Sequence, residues 1–383
     1  MFPETNAARA LLLLCSVVRH GDWVGQEDEL AQLSAEQWKR LAARATHHGL
    51  AGLVSRNLDW ARERRAISVP VAEELAARRR QVLTQNLARR AAARQVSDIL
   101  RREGIPFIVL KGVALAEETY GDLSLRGFND FDVMVPHERV EQTYRLARDL
   151  GYGLIRFTKV QDCIRAGGHA AGMSRRDGVS LDIHWTLGPD LPPGSAAIVW
   201  NSCVAAPENA TLPGHRLSPE MSLVHLAKHF HTGQYTLLKP LVDFHFTVRT
   251  AVSIDQSALL STAQSLDLVS IVQIAAVVAA RAIGTPLPVP MHDAGKPGWA
   301  ARVAARVLPD AMLVDAAEKS RIGNWLRYLA AAGGPEHTLR EIGREFFPGP
   351  LALAQFFNAP YRFGMYPSYY WRQLAKVLTL SSK

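Results

Sequence analysis

Cysteine is scarce in this 383-residue sequence: Cys15, Cys163 and Cys203 are the full complement, far apart and without a CxxC pairing. A disulfide framework and a cysteine-built zinc cluster are thereby excluded, and three buried or incidental thiols remain. Long apolar runs are also lacking. The longest leucine run, Leu11 to Leu14, is too short to span a bilayer and follows Glu4 instead of a basic segment. Neither a signal peptide nor a transmembrane segment is expected, and the chain is placed in the cytoplasm. Charge of one sign is in only moderate excess. The 44 Lys and Arg against 36 Asp and Glu give +8, a bias toward polyanions such as nucleotides or nucleic acid. Much of that bias sits in Arg78-Arg79-Arg80 and Arg89-Arg90, inside a helical pattern where a solvated face is the simpler explanation, so nucleic acid is not the favoured partner. No internal repeat is evident. Absent too are GxSxG, GxxxxGK[ST] and any GxGxxG after a strand, so the hydrolase, P-loop and dinucleotide chemistries lack their minimum parts.

What is present is 48% hydrophobic residues, enough for a substantial core and two or three structural units. From Thr5 to about Leu100, Ala and Leu recur at helical spacing, with Ser34 and Gln37 forming a capping-box signature and Pro70 placed for the first turn of a long helix that Gly104 ends. A small α/β unit follows. Strands are expected at Phe107–Leu110, Asp130–Val135, Gly153–Lys159, Gly168–Ser174 and Val179–Trp185, the last two joined by a hairpin at Arg176-Asp177-Gly178. Helices are expected at Val113–Tyr120 and between Pro136 and Gly151. Beyond Leu191-Pro192-Pro193-Gly194 the chain returns to helix at Ser218-Pro219-Glu220, an N-cap followed by a first-turn proline and acid. A proline-rich loop or hinge is expected at Gly284–Gly298, and an aromatic and basic stretch runs from Tyr361 to Lys383. The expected fold is therefore α+β: a small mixed sheet over 101–195, flanked by helical regions over 1–100 and 210–383.

The chemistry concentrates between Ile105 and Val135. Asp130 and Asp132 stand two apart on one strand, so they project to one face while Phe131 and Val133 project to the other. Two carboxylates so placed repel unless a cation lies between them, and hard oxygen donors suit Mg²⁺. Asp182, in VSLDIHWTL, is a third candidate, and three acids on neighbouring strands are what a site for two metal ions requires. Lys111-Gly112 follows an apolar strand, where glycine lets backbone approach phosphate and lysine neutralises it. Arg126 is either a further phosphate partner or a salt bridge that orders its loop. His184, His225, His229 and Asp243 are candidates for facing substrate. The His225 and His229 pair has i, i+4 spacing, yet no HExxH accompanies it, which argues against a dedicated zinc site.

The arrangement LKG, YGD, LR, NDFDVMV and LDIHW resembles the uncharacterised bacterial nucleotidyltransferase family of the DNA polymerase beta-like superfamily, and the likeness extends from about Gln37 to Arg249. It implies a small mixed sheet whose acidic triad, here Asp130, Asp132 and Asp182, binds two Mg²⁺ ions and catalyses transfer of a nucleoside monophosphate from an NTP, with ATP as the expected donor. Lys111, Gly112 and Arg126 would contact that nucleotide, and Asp182 would act as, or position, the base for the acceptor hydroxyl. The superfamily commonly has Gly-Ser at the nucleotide turn, whereas this chain has Lys111-Gly112-Val113. The alternative is thus a catalytically inactive nucleotide-binding or regulatory module of the same fold. The acceptor is unidentified; a small molecule or a peptide is favoured.

Overall fold

The computed structural model describes residues 3–286, apart from 24–26, 65–68, 156–158, 234 and 236, together with a few isolated positions beyond. Most of the proline-rich loop and nearly all of the aromatic stretch from Tyr361 lie outside the described residues. Five helices lead in: α1 (Pro3–Ser16), α2 (Glu27–Ala31), α3 (Ala35–His47), α4 (Ala51–Arg64) and α5 (Ala72–Arg102). The capping box forms as the sequence indicates. Gln37 donates its backbone N–H to Ser34 Oγ at 3.3 Å while Ser34 N–H donates to Gln37 Oε1 at 2.8 Å, which satisfies two donors that the first turn of α3 would leave open. Gly104, at φ +63°, ends α5 in the left-handed conformation that glycine adopts at little cost.

The strands β1 (Ile108–Val109), β2 (Asp130–Met134), β3 (Gly153–Leu154), β4 (Ala170–Ser174), β5 (Ser180–His184), β6 (Cys203–Ala205) and β7 (His215–Leu217) form one mixed sheet in the order β3-β4-β5-β2-β1-β7-β6. β2 runs parallel to β5 and antiparallel to β1; β1 runs parallel to β7. The expected α+β class is what the chain adopts, with three differences of detail. Among the described residues β1 and β3 are two-residue strands, shorter than expected, and residues 156–158 of the segment expected for β3 lie outside the described residues. The segment expected as a helix near Val113–Tyr120 is largely a π-helical turn over Leu115–Thr119. And β6 and β7 extend the sheet past residue 195, where three-residue strands are too short to show alternation. The hairpin between β4 and β5 closes at Gly178, φ +82°.

Helices α6 (Val140–Asp149) and α7 (Val160–Arg165) lie among the central strands in the chain, and α8 (Ser195–Asn201) precedes β6. After β7 come α9 (Pro219–Thr232), α10 (Lys239–Thr250), α11 (Gln256–Ser265) and α12 (Val269–Ile283). Ser218 caps α9 by accepting from Met221 N–H at 3.2 Å. The pleat then divides the sheet's side chains between two cores. Phe131, Val133, Leu181 and Ile183 pack with Val96 and Leu100 of α5, Val140 of α6 and Val160 of α7. Ile108, Leu110 and Met134 join a larger cluster built from α1, α3, α4, α9, α10 and α12. Both faces of the sheet are thus covered, and the acids of β2 and β5 stand on the face shared with this second cluster.

Candidate metal and nucleotide site

Parallel pairing in register brings the acids together. Asp132 stands opposite Asp182, Asp130 opposite Ser180 and Met134 opposite His184, so Asp130, Asp132, Asp182 and His184 share one face. One donor atom each from Asp132, Asp182 and His184 lies within 4.8 Å of the others. His184 Nε2 is 3.0 Å from Asp132 Oδ1, and Lys111 Nζ is 3.8 Å from Asp132 Oδ2. Gly172 on β4 stands opposite Asp182, and a Cβ there would come within 3.3 Å of Asp182 Oδ1. Glycine therefore leaves the carboxylate its space.

The electrostatics of the cluster are asymmetric. Burial opposes ionisation of Asp132, which is only 2% exposed, but Lys111 and His184 outweigh it and hold the carboxyl well below the usual range. Asp130 moves the other way, raised by burial and by the charge of Asp132. Burial also raises Asp182; His184 opposes the shift, and Asp132 and Asp130 add to it. Within this cluster two buried polar atoms have no hydrogen-bond partner, Asp132 Oδ2 and His184 Nδ1. An anionic oxygen buried without a donor is costly, and a cation at this place would remove the cost. The donor set of two or three carboxylates and an imidazole fits a divalent metal.

Lys111 and Gly112 enter the site from the end of β1. Gly112 has φ +60°, the left-handed conformation that favours glycine, while a Cβ on it would meet the carbonyl oxygen of Asp130 only at ordinary contact, 3.4 Å. His225 and His229 of α9 lie within electrostatic reach of Lys111 and Asp132. Burial, and then Lys111, lower His225 well below the ordinary imidazole value and His229 to about 3, so both rings are neutral. His169, its ring 5.7 Å from that of His184, is pushed down to about 4, chiefly by burial.

Arg126 and Asp243 are placed apart from this cluster of donors, in a buried pair of their own. Arg126 Nε donates to Asp243 Oδ1 at 2.7 Å, Nη2 to Oδ2 at 2.8 Å, and Nη1 to the Gly112 carbonyl at 3.2 Å. Tyr120 Oη donates to the same carboxylate at 2.8 Å. The guanidinium fork is committed to Asp243, and its remaining edge supports the Lys111-Gly112 turn. Burial opposes the charge of Asp243, yet Arg126 keeps its carboxyl below the usual range. Sequence reasoning missed Gly172 and His169, and also a lysine of α10. Lys239, in the first turn of α10, donates to the Gly127 carbonyl at 3.2 Å. Burial and Arg126 lower it to about 8, while Asp243 and Asp130 oppose the shift.

These residues fall within a segment that a known family describes. A family model whose description is an uncharacterised nucleotidyltransferase matches residues 34–284, well over half of the chain. No curated protein matches it.

Proposed function

The chain belongs to this family of uncharacterised nucleotidyltransferases, and from that premise we propose that it transfers a nucleoside monophosphate from an NTP, with ATP as donor, to a small-molecule or peptide acceptor in a Mg²⁺-dependent reaction. The observation that carries the proposal is the in-register pair of Asp132 and Asp182, with a buried carboxylate oxygen of Asp132 that accepts no hydrogen bond and has Lys111 Nζ 3.8 Å away. Asp130, Asp132 and Asp182 are the residues that would hold the metal, two ions in all. Bound there, Mg²⁺ supplies charge neutralisation for the triphosphate and for the oxygens that gain charge during transfer.

The chain's own groups account for the remainder. Lys111 offsets negative charge on the phosphates, and the Gly112 turn lets backbone come close to them. His184 fixes the orientation of Asp132 through its 3.0 Å contact. In the reaction the acceptor oxygen bonds to the α-phosphorus, the bond from that phosphorus to the β-phosphate oxygen breaks, and pyrophosphate leaves with the electron pair. The acceptor's proton passes to Asp182, directly or through a water that Asp182 positions. Positioning and electrostatics suffice for phosphoryl transfer, so no serine or cysteine nucleophile is needed.

The test is ATP binding and pyrophosphate release with Mg²⁺, comparing wild type with Asp132→Asn and with the Asp130→Asn, Asp132→Asn pair. Metal-dependent binding should disappear in the double variant, and turnover should drop by at least ~100-fold in the single one. Turnover that survives the double substitution would sink the proposal.

A further inference from the structure

A cavity of about 340 Å³ lies beside Lys111 and His225, bounded by β1, the turn at 114–119, the β6–β7 hairpin, α9 and the end of α10. That volume lies in the range of ligand sites, ~300–1,000 Å³. Two residues connect it with the chemistry: Lys111 and His225 are part of its wall, and both act electrostatically on Asp132. Four of the eight polar side chains that line it, Glu118, Arg216, Thr247 and Thr250, are spent on the protein itself. Arg216 donates to Glu118 at 2.8 Å and to the carbonyls of His215 and Leu212, while Thr247 and Thr250 donate back to the carbonyls of Asp243 and Phe246. Aliphatic groups make up most of the remaining wall, among them Leu115, Leu217 and Leu226, and the one aromatic ring among its described lining residues is the imidazole of His225, at the Lys111 end. Exposed Val204 and Val252 extend the apolar wall to solvent.

A nucleobase would want a ring to stack on or free polar groups to pair with, and a charged peptide would want counter-charges. Apart from Lys111 and His225 at one end and the hydroxyls of Thr119 and Ser222, this wall offers saturated hydrocarbon. We propose that the cavity receives an aliphatic part of the acceptor, with the acceptor's nucleophilic group at the Lys111 and His225 end. The inference rests on the nucleotidyl-transfer function proposed above, because it is that function which supplies the need for an acceptor.

The experiment is a titration of the full chain, labelled at its leucine and valine methyls, with 1-hexanol, 1-octanol and 1-decanol, beside a separate measurement of Mg²⁺-ATP binding. Saturable shifts should appear at Leu115, Leu217 and Leu226, with affinity rising about fourfold per added methylene, the ratio that ~0.8 kcal/mol per buried CH₂ implies. Ala205→Trp, on the exposed edge strand β6, should weaken alcohol binding at least tenfold and leave Mg²⁺-ATP binding unchanged; Ala251→Trp repeats the block from the opposite wall. Binding that ignores chain length, or that both tryptophan variants leave intact, overturns the proposal. So does competition between ATP and the alcohols, which would assign the cavity to the donor. If the alcohols bind as expected but wild type binds no Mg²⁺-ATP, the aliphatic specificity stands and the transferase function fails.

Discussion

Arg126 and Asp243 lie 117 positions apart in the chain and meet in a bidentate pair that water does not reach. Such a pair is weak evidence of net stabilisation, because desolvating both charges costs about as much as their attraction returns. Breaking it is another matter. Asp243→Ala leaves Arg126 buried without its counter-charge and should cost about 3–5 kcal/mol in urea unfolding, whereas Arg126→Met with Asp243→Leu should recover much of that loss. Equal destabilisation by the single and double changes would mean that the shape of the pair matters and its charge does not. His184 makes a milder prediction. Its contact with Asp132 orients a carboxylate proposed to bind metal, and loss of such a support typically lowers metal affinity roughly 10–100-fold. His184→Ala should therefore weaken Mn²⁺ binding, read by its electron paramagnetic resonance signal, over that range while the far-ultraviolet circular dichroism stays constant. An unchanged affinity would show that Asp132 holds its place without the ring.

Among elements, α4 is held unusually close to the loop that delivers Arg126. A Cβ on Gly52 would lie 1.9 Å from the carbonyl oxygen of Ser124, so the helix can approach only because residue 52 has none. The same loop is fixed from α5, where Asn86 Nδ2 donates to the carbonyls of Leu123 and Arg126 at 2.7 and 2.8 Å. Gly52→Ala must move backbone, and a cost of about 1–3 kcal/mol follows from overpacking of this kind; thermal unfolding measures it, and a neutral result would show that α4 slides freely. Nothing about Gly52 in the sequence announces this contact, since its partner is seventy-odd residues away. That contrast recurs throughout the chain. The capping box of α3, the glycine stop of α5, the β4–β5 turn and the two-residue spacing of Asp130 and Asp132 were legible because each has a local cause. The parallel register that sets Asp182 opposite Asp132, the short strands β6 and β7, Lys239 beside the site and the commitment of Arg126 to Asp243 depend on distant partners, and residue spacing alone does not encode them.

Across the whole molecule, histidine ties stability to pH. Burial lowers His48, His169, His225, His229 and His245 below the ordinary imidazole value, His169 and His245 to about 4 and His229 to about 3. The unfolded chain, with imidazoles near 6.5, therefore binds more protons than the folded one between pH 6.5 and about 4, and stability must fall as pH drops through that window. Raised Asp130 and Asp182 act in the opposite sense, since the folded state takes up their protons first, and they offset part of the loss. His245 isolates the effect, because it stands away from the acids. Its Nε2 lies 2.9 Å from the Ser16 carbonyl, which can only accept, so Nε2 carries the proton and Nδ1 accepts from Thr285 Oγ1 at 2.8 Å. The neutral ring is thus fully satisfied. His245→Gln removes this one titration, so its stability loss between pH 6.5 and 4.5, followed by urea unfolding, should be smaller than that of wild type by roughly 2 kcal/mol, whatever the variant's stability at neutral pH. Parallel curves for the two proteins would show that His245 takes up its proton as readily in the folded chain as in the unfolded one.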